Sequence, residues 1–146
     1  MTDSEPTPMT LDRVVEILEA EKLEYVREDN DLLRTGFPNA AIGVVIEGDH
    51  LLFDAAWRGA PPSADAPKVL GAMNEWNLTR VMPSVSFNEI SEGTLNIRAH
   101  RALYVGHGAT HNQIGAFIMS AIQTTLACFE WLETEFPQYV TWKEAQ

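Results

Sequence analysis

The sequence predicts a single α+β domain: one antiparallel five-stranded sheet with three helices, in the order α-β-β-β-α-β-β-α. Three observations predict it. Apolar residues recur at helical spacing in three separated stretches. Between those stretches the spacing changes to the alternation of strands, broken by polar turns. The turns are short, which makes sequential strands antiparallel neighbours, and the middle helix, with strand-like segments on both sides of it, is the crossover between two halves of the sheet. With 146 residues, 45% of them hydrophobic, the chain can fill one core and is too short for two.

Residues 1–9 are polar and interrupted by Pro6 and Pro8, which reads as a disordered lead. Thr10 then offers a helix N-cap, and Leu11, Val14, Val15 and Leu18 follow at i, i+3, i+4, i+7 spacing. This predicts a first helix over 10–22. Polar turns at 28–31, 36–39 and 47–49 separate three strands, 32–35, 41–46 and 50–58. In the third, Leu51, Phe53, Ala55 and Trp57 alternate with Leu52, Asp54, Ala56 and Arg58, so one face is the more apolar. Gly59-Ala60-Pro61-Pro62 ends that strand.

The stretch 65–77 reads as the crossover helix. Ser63 or Asp65 can cap it, Pro67 suits only its first turn, and Val69, Leu70, Met73 and Trp76 give it an apolar face. Its end is unusual, because Asn74 and Asn77 are mediocre helix formers placed within one turn. Pro83 opens a second hairpin, 85–90 with 94–105 across Ser91-Glu92-Gly93. Thr110 and Gln113 then form a capping box that starts the last helix, 110–135, whose stripe runs from Ile114 to Leu132. At about 1.5 Å per residue this helix reaches roughly 39 Å, enough to cross a five-stranded sheet. Pro137 ends it, the domain spans 10–137, and residues 138–146 form a C-terminal tail.

Charge excludes several partners. The formal net charge is -11, and no cluster of Lys or Arg is present to bind phosphate backbones or anionic headgroups. Nucleic acid and membrane surfaces are therefore not expected, and a basic protein partner fits better. The N-terminus lacks the basic start and apolar run of a signal peptide, and no segment offers the ~20 apolar residues that span a bilayer, which points to the cytoplasm. The lone cysteine, Cys128, forms no intramolecular disulfide and reads as a buried, inert thiol.

No catalytic constellation is visible, and no cofactor is expected. His100, His107 and His111 could supply nitrogen ligands to a metal, but they lack helical i, i+4 alignment and a completing cysteine or carboxylate. Ser84 and Ser86 sit in no nucleophile elbow, and Gly106-His107-Gly108 lacks the length and lysine of a phosphate loop. Carboxylates such as Glu130, Glu133 and Glu135 read as a solvated helix face. Aromatics remain as the functional clue. Trp76 belongs to the core or to the crossover interface, where its indole N–H needs a partner and Asn74 and Asn77 can orient neighbouring backbone. Asn74, Trp76 and Asn77 are expected to fix the middle helix to its sheet or to a second subunit. Trp131 falls off the apolar stripe, and Trp57 and Phe53 add more apolar surface than one core obviously requires; with the three residues of the middle helix they are the candidate partner or dimer contacts.

The element order, the Met73-Asn74-Glu75-Trp76-Asn77 ending of the middle helix, the passage from Leu103 to Gln113 and the Glu135-Phe136-Pro137 stop together resemble the YbjN family of bacterial proteins. The likeness runs from Leu11 to Pro137. The Gly106-His107-Gly108-Ala109-Thr110-His111 loop departs from the family, where acidic and glycine residues are expected. The resemblance implies a type III secretion chaperone-like fold and a homodimeric, non-enzymatic domain, of a kind labelled a sensory transduction regulator. Two functions follow as expectations: a chaperone-like or regulatory module holding a segment of another protein, or a small-ligand or metal-linked regulator using the His107/His111 loop.

Overall fold

A computed structural model describes residues 5–29, 31–80 and 82–142. The apolar stripes become α1 (Leu11–Ala20), α2 (Ala66–Thr79) and α3 (His111–Glu135). The capping box forms at the start of α3: the Thr110 hydroxyl accepts from the Gln113 N–H at 3.0 Å, and Gln113 Oε1 accepts from the Thr110 N–H at 2.8 Å. The other expected caps do not form. Thr10 makes no side-chain cap bond, the Ser63 hydroxyl donates instead to Glu89, and the Asp65 carboxylate accepts from the Tyr139 hydroxyl. Burial also moves the face of α2. Its core residues are Val69, Ala72, Met73 and Trp76, while Leu70 is exposed.

Among the described residues the sheet has six strands, not five: β1 (Val26–Arg27), β2 (Leu33–Phe37), β3 (Ala40–Glu47), β4 (His50–Trp57), β5 (Ser84–Ser91) and β6 (Thr94–Tyr104). The extra strand, β1, pairs only Val26 with Arg34 and Arg27 with Leu33, so it is too short for alternation to betray it. A tight return joins it to β2. Asp31 adopts φ 58°, a left-handed conformation that Asp tolerates, and the Glu28 N–H donates to the Leu32 carbonyl at 2.9 Å. Every pairing is antiparallel, and the strand order is β1-β2-β3-β4-β6-β5. The α2 crossover carries the chain past β4 to the far edge, and β6 returns into the gap.

All the helix packing is on one side of the sheet. Ala40, Ile42 and Val44 of β3, Leu51, Phe53, Ala55 and Trp57 of β4, and Leu95, Ile97 and Ala99 of β6 are buried there. α3 lies across β4 and β6, α1 packs on α3, and α2 packs on β5. α3 is long and apolar enough, by length and composition, to cross a membrane, contrary to the expectation that no segment approaches that. Its buried stripe, from Ile114 to Leu132, is spent on this core. The stripe includes Thr125, fully buried, whose hydroxyl has no hydrogen-bond partner among the described residues.

Both chain ends pack beyond the expected domain limits. Thr7 and Ala109 exchange backbone bonds of 3.1 and 2.9 Å, and the Arg13 guanidinium donates to the carbonyls of Thr7 and Pro8. Gly108 permits this approach, since a Cβ there would lie 2.6 Å from the Thr7 carbonyl oxygen. Residues 5–9 are thus no disordered lead. At the other end Tyr139 is buried against Phe136, and Trp142 meets the Trp57 ring edge-on at 6.0 Å. Single bridges and isolated aromatics carry no periodicity, which is why the sequence hides them. The rest of the expected lead and tail, residues 1–4 and 143–146, lies outside the described residues.

Two outcomes follow from this core. Thr125→Val keeps the shape and removes the unsatisfied hydroxyl, so it stabilises the protein by about 1 kcal/mol, or ~3 °C in melting temperature; an unchanged or lowered melting point in calorimetry contradicts this. Burial pushes the Cys128 thiol up to about 12. In native protein at pH 8 a thiol reagent labels it only as fast as the chain unfolds, and immediate stoichiometric labelling contradicts that burial.

Candidate functional site

The alternation that buries one row of each strand presents the other row on a face without helices. No residue of that face is buried, yet its centre is half-covered by its own neighbours. Val45 stands opposite Leu52, Ala41 opposite Ala56 and Gly43 opposite Asp54. A Cβ at Gly43 would meet the Leu32 side chain at 3.4 Å, so Leu32 closes over the glycine. The result is a shallow band of small and aliphatic side chains along β3 and β4.

Beside that band lies a polar cluster assembled by strand register. β4 and β6 set Asp54 opposite His100, and β5 and β6 set Ser86 opposite Arg98. Arg98 forms an ion pair with Asp54. His100 Nδ1 stands 2.9 Å from Asp54 Oδ1, and His100 Nε2 stands 3.1 Å from the Ser86 hydroxyl. A serine, a histidine and an aspartate in this order match the components of a nucleophilic triad, but the geometry differs in three respects. Asp54 Oδ1 lies near the imidazole without accepting an aligned hydrogen bond, and Arg98 already balances its carboxylate. Burial first, then the Arg98 charge, lowers the basicity of His100. The backbone of Ser86 is turned toward β6, because its neighbour Val85 directs both its N–H and its carbonyl outward to Asn77. The cluster therefore presents fixed donors and acceptors beside an apolar band, a pattern suited to recognition.

The residues singled out from the sequence fall into different surroundings. Phe53 and Trp57 are 1% and 2% exposed in the core under the helices, which removes both as contact residues. Their alternation is legible in the sequence, but which face the helices cover is not. Trp76 is buried and donates its indole N–H to the Pro83 carbonyl at 3.0 Å. The Asn77 side chain donates to the Val85 carbonyl at 2.9 Å and accepts from the Val85 N–H at 3.1 Å, taking the place of a neighbouring strand. Trp131 is half-buried and packs on Trp76 with ring centroids 5.4 Å apart, while the Arg80 guanidinium covers Trp76 at 4.7 Å. Trp76, Asn77 and Trp131 thus join α2, β5 and α3 within one chain, and Asn74 is exposed on the outer side of α2.

The three histidines are not brought together. His100 belongs to the polar cluster, His107 meets Tyr104 edge-on at 5.8 Å, and His111 is exposed as the first residue of α3. Among the described residues no group of three or more His, Cys, Asp or Glu converges on a metal position. Sequence reasoning missed Asp54, Ser86 and Arg98 as a group because their contact depends on β6 lying between β4 and β5.

Asn77→Ala leaves both outward groups of Val85 without their partner and destabilises the protein by about 1–3 kcal/mol. Hydrogen exchange at the Val85 amide accelerates with it, and unchanged protection contradicts the clamp. The lowered pKa of His100 has a stability consequence. As pH falls below 6.5, the unfolded chain takes up a proton that the folded imidazole resists, so acidification from that point weakens the fold. An NMR titration of His100 gives a midpoint below 6.5. A midpoint above that value means that Asp54 outweighs burial.

The comparisons with known proteins agree with this architecture. A profile of the YbjN family, described as "Putative bacterial sensory transduction regulator", matches residues 10–134. The structure of YbjN from E. coli, "a putative transcription regulator", superposes with a TM-score of 0.76 at 15% identity, covering 94% of this chain and 99% of that one. A chain of the HopA1-SchA chaperone-effector complex matches with a TM-score of 0.52 at 12% identity, over 84% of this chain and 96% of that one. An uncharacterized protein from Methanothermobacter thermautotrophicus matches with a TM-score of 0.57 at 13% identity, over 90% of this chain and 100% of that one. No curated protein matches the sequence. A profile match over most of the chain, on a mixed α+β domain of this topology, makes the protein a member of the YbjN family.

Proposed function

We propose that this domain is a non-catalytic protein-binding module, chaperone-like or regulatory, that holds an extended segment of another protein on the helix-free face of its sheet. The observation that carries the reading is one-sided burial: three helices occupy one face, and the other keeps a half-buried band around Val45 and Leu52 uncovered. A shallow band of small and aliphatic side chains on an open sheet face suits an extended chain. Arg98, Asp54, His100 and Ser86 lie along it as oriented hydrogen-bonding groups. The fold shared with a chain of a chaperone-effector complex supports the reading, as does the regulatory description of the family. The net charge of -11 favours a basic segment as the occupant.

The same proposal places the domain in the cytoplasm as a homodimer, the latter on the strength of the family resemblance. Light scattering at low micromolar concentration gives twice the 16.3 kDa chain mass, and a strictly monomeric mass removes the dimer. The second reading, a small-ligand regulator working through the His107 loop, is favoured by one observation, a cavity that His107 helps to line.

A photo-reactive amino acid placed at Leu52 tests the binding face, with the same probe at Leu78, which is 85% exposed on α2, as the comparison. Cross-links to a cellular protein form from position 52, and Leu52→Glu lowers recovery of that protein at least tenfold, about 1.4 kcal/mol, with its melting temperature retained. Cross-links from position 78 alone, or full recovery by Leu52→Glu, contradict the proposal.

A further inference from the structure

β5 accompanies β6 only as far as the pairing of Ser84 with His100, so among the described residues β6 runs on from Arg101 to Tyr104 without an outer strand neighbour. Between that free stretch and the first half of α3 lies a cavity of about 500 Å³. Its apolar lining comes from Leu103, Ala116 and Phe117, and its polar lining includes Arg101, His107 and Gln113. The cavity belongs to the helix side of the sheet and is separate from the face discussed above.

Arg101 is the unusual residue here. It continues the row of Leu95, Ile97 and Ala99, which are buried, so a cation follows three core residues on the same face of β6. The guanidinium does not simply reach for water. Its carbon stands 5.2 Å from the centre of the Phe117 ring, and Nη1 donates to the Ser120 hydroxyl at 2.7 Å. Stacking and one hydrogen bond fix the planar fork and leave most of its five N–H donors for another acceptor. Among the described residues no carboxylate pairs with it, although the chain has 21 acidic residues. Among the described residues no Asp or Glu lines the cavity. Gln113 adds a donor, since its oxygen is held by the capping bond to Thr110 and its NH₂ is not needed there.

We infer that this cavity binds a small anion with an apolar body, a carboxylate or phosphate monoester whose charged end is held by the Arg101 fork and whose body rests against Leu103, Ala116 and Phe117. A guanidinium with unused donors, held rigid beside apolar surface, favours a planar or tetrahedral oxyanion over a neutral ligand. The inference is independent of the protein-binding proposal, and its test uses no protein partner.

Phenyl phosphate and benzoate serve as probes of the two anion types, with benzyl alcohol as the neutral control. In titrations followed by NMR on the full chain, at least one anion saturates with a Kd of about 1 mM or tighter, shifting the amides of Gly108 and Ala109, and benzyl alcohol does not. Which anion binds tighter identifies the headgroup. Arg101→Gln weakens the binding at least tenfold. Ala116 is exposed on α3, so Ala116→Trp fills the cavity with the arginine in place, and it too removes binding. No saturation by either anion, equal binding of the alcohol, or shifts that survive in Ala116→Trp overturns the assignment, whether or not Arg101→Gln folds.

Discussion

Burial of one face of the sheet under α3 is the constraint on which the rest of this structure depends. A sheet covered on both sides would carry apolar residues in both rows of each strand. Here β4 divides by burial, with Leu51, Phe53, Ala55 and Trp57 buried and Leu52, Asp54 and Ala56 half-covered, the apolar members of that second row forming the band described above. α3 supplies most of the cover, and α1 and α2 flank it rather than moving to the other side. The asymmetry frees the second face to carry Asp54, Arg98 and His100, whose charges could not be accommodated under a helix without individual partners.

Holding that arrangement requires the far edge of the sheet to be fixed, and the end of α2 does this. Trp76 fills the junction with Trp131 and bonds the carbonyl of Pro83, while Asn77 completes the hydrogen bonding of Val85 as a strand would. The two residues thereby set where β5 begins along β6. That register places Ser86 beside His100, and it also leaves the end of β6 uncovered, opening the cavity around Arg101. One short run of residues thus shapes both candidate surfaces.

Much of the fold is legible in the sequence, and the reasons for the misses are physical. The stripes of α1 and α3, the Thr110–Gln113 cap and the two hairpins follow from local periodicity and turn chemistry. β1 is hidden because two residues cannot display alternation. Leu70 falls on the expected apolar face yet is exposed, because helical spacing alone does not say which arc of α2 meets the sheet. The asparagines of α2 are conspicuous as poor helix formers, and Asn77 proves to be bound to the edge of β5. The candidate site is much less legible. Phe53 and Trp57 stand out as large aromatics and belong to the interior, whereas Leu52, Asp54, Arg98 and Arg101 are unremarkable until strand order and helix placement bring them together.

The central claim is that the helix-free face is where this protein meets its partner. Carbene footprinting with mass spectrometry tests it most directly, because it reads the cover on each residue whatever molecule supplies that cover. The account predicts that Val45 and Leu52 are labelled in the purified protein and protected in a native cytoplasmic extract, while exposed Leu78 on α2 is labelled in both. Equal labelling of Val45 and Leu52 in the two conditions, or protection confined to Leu70 and Leu78, contradicts it.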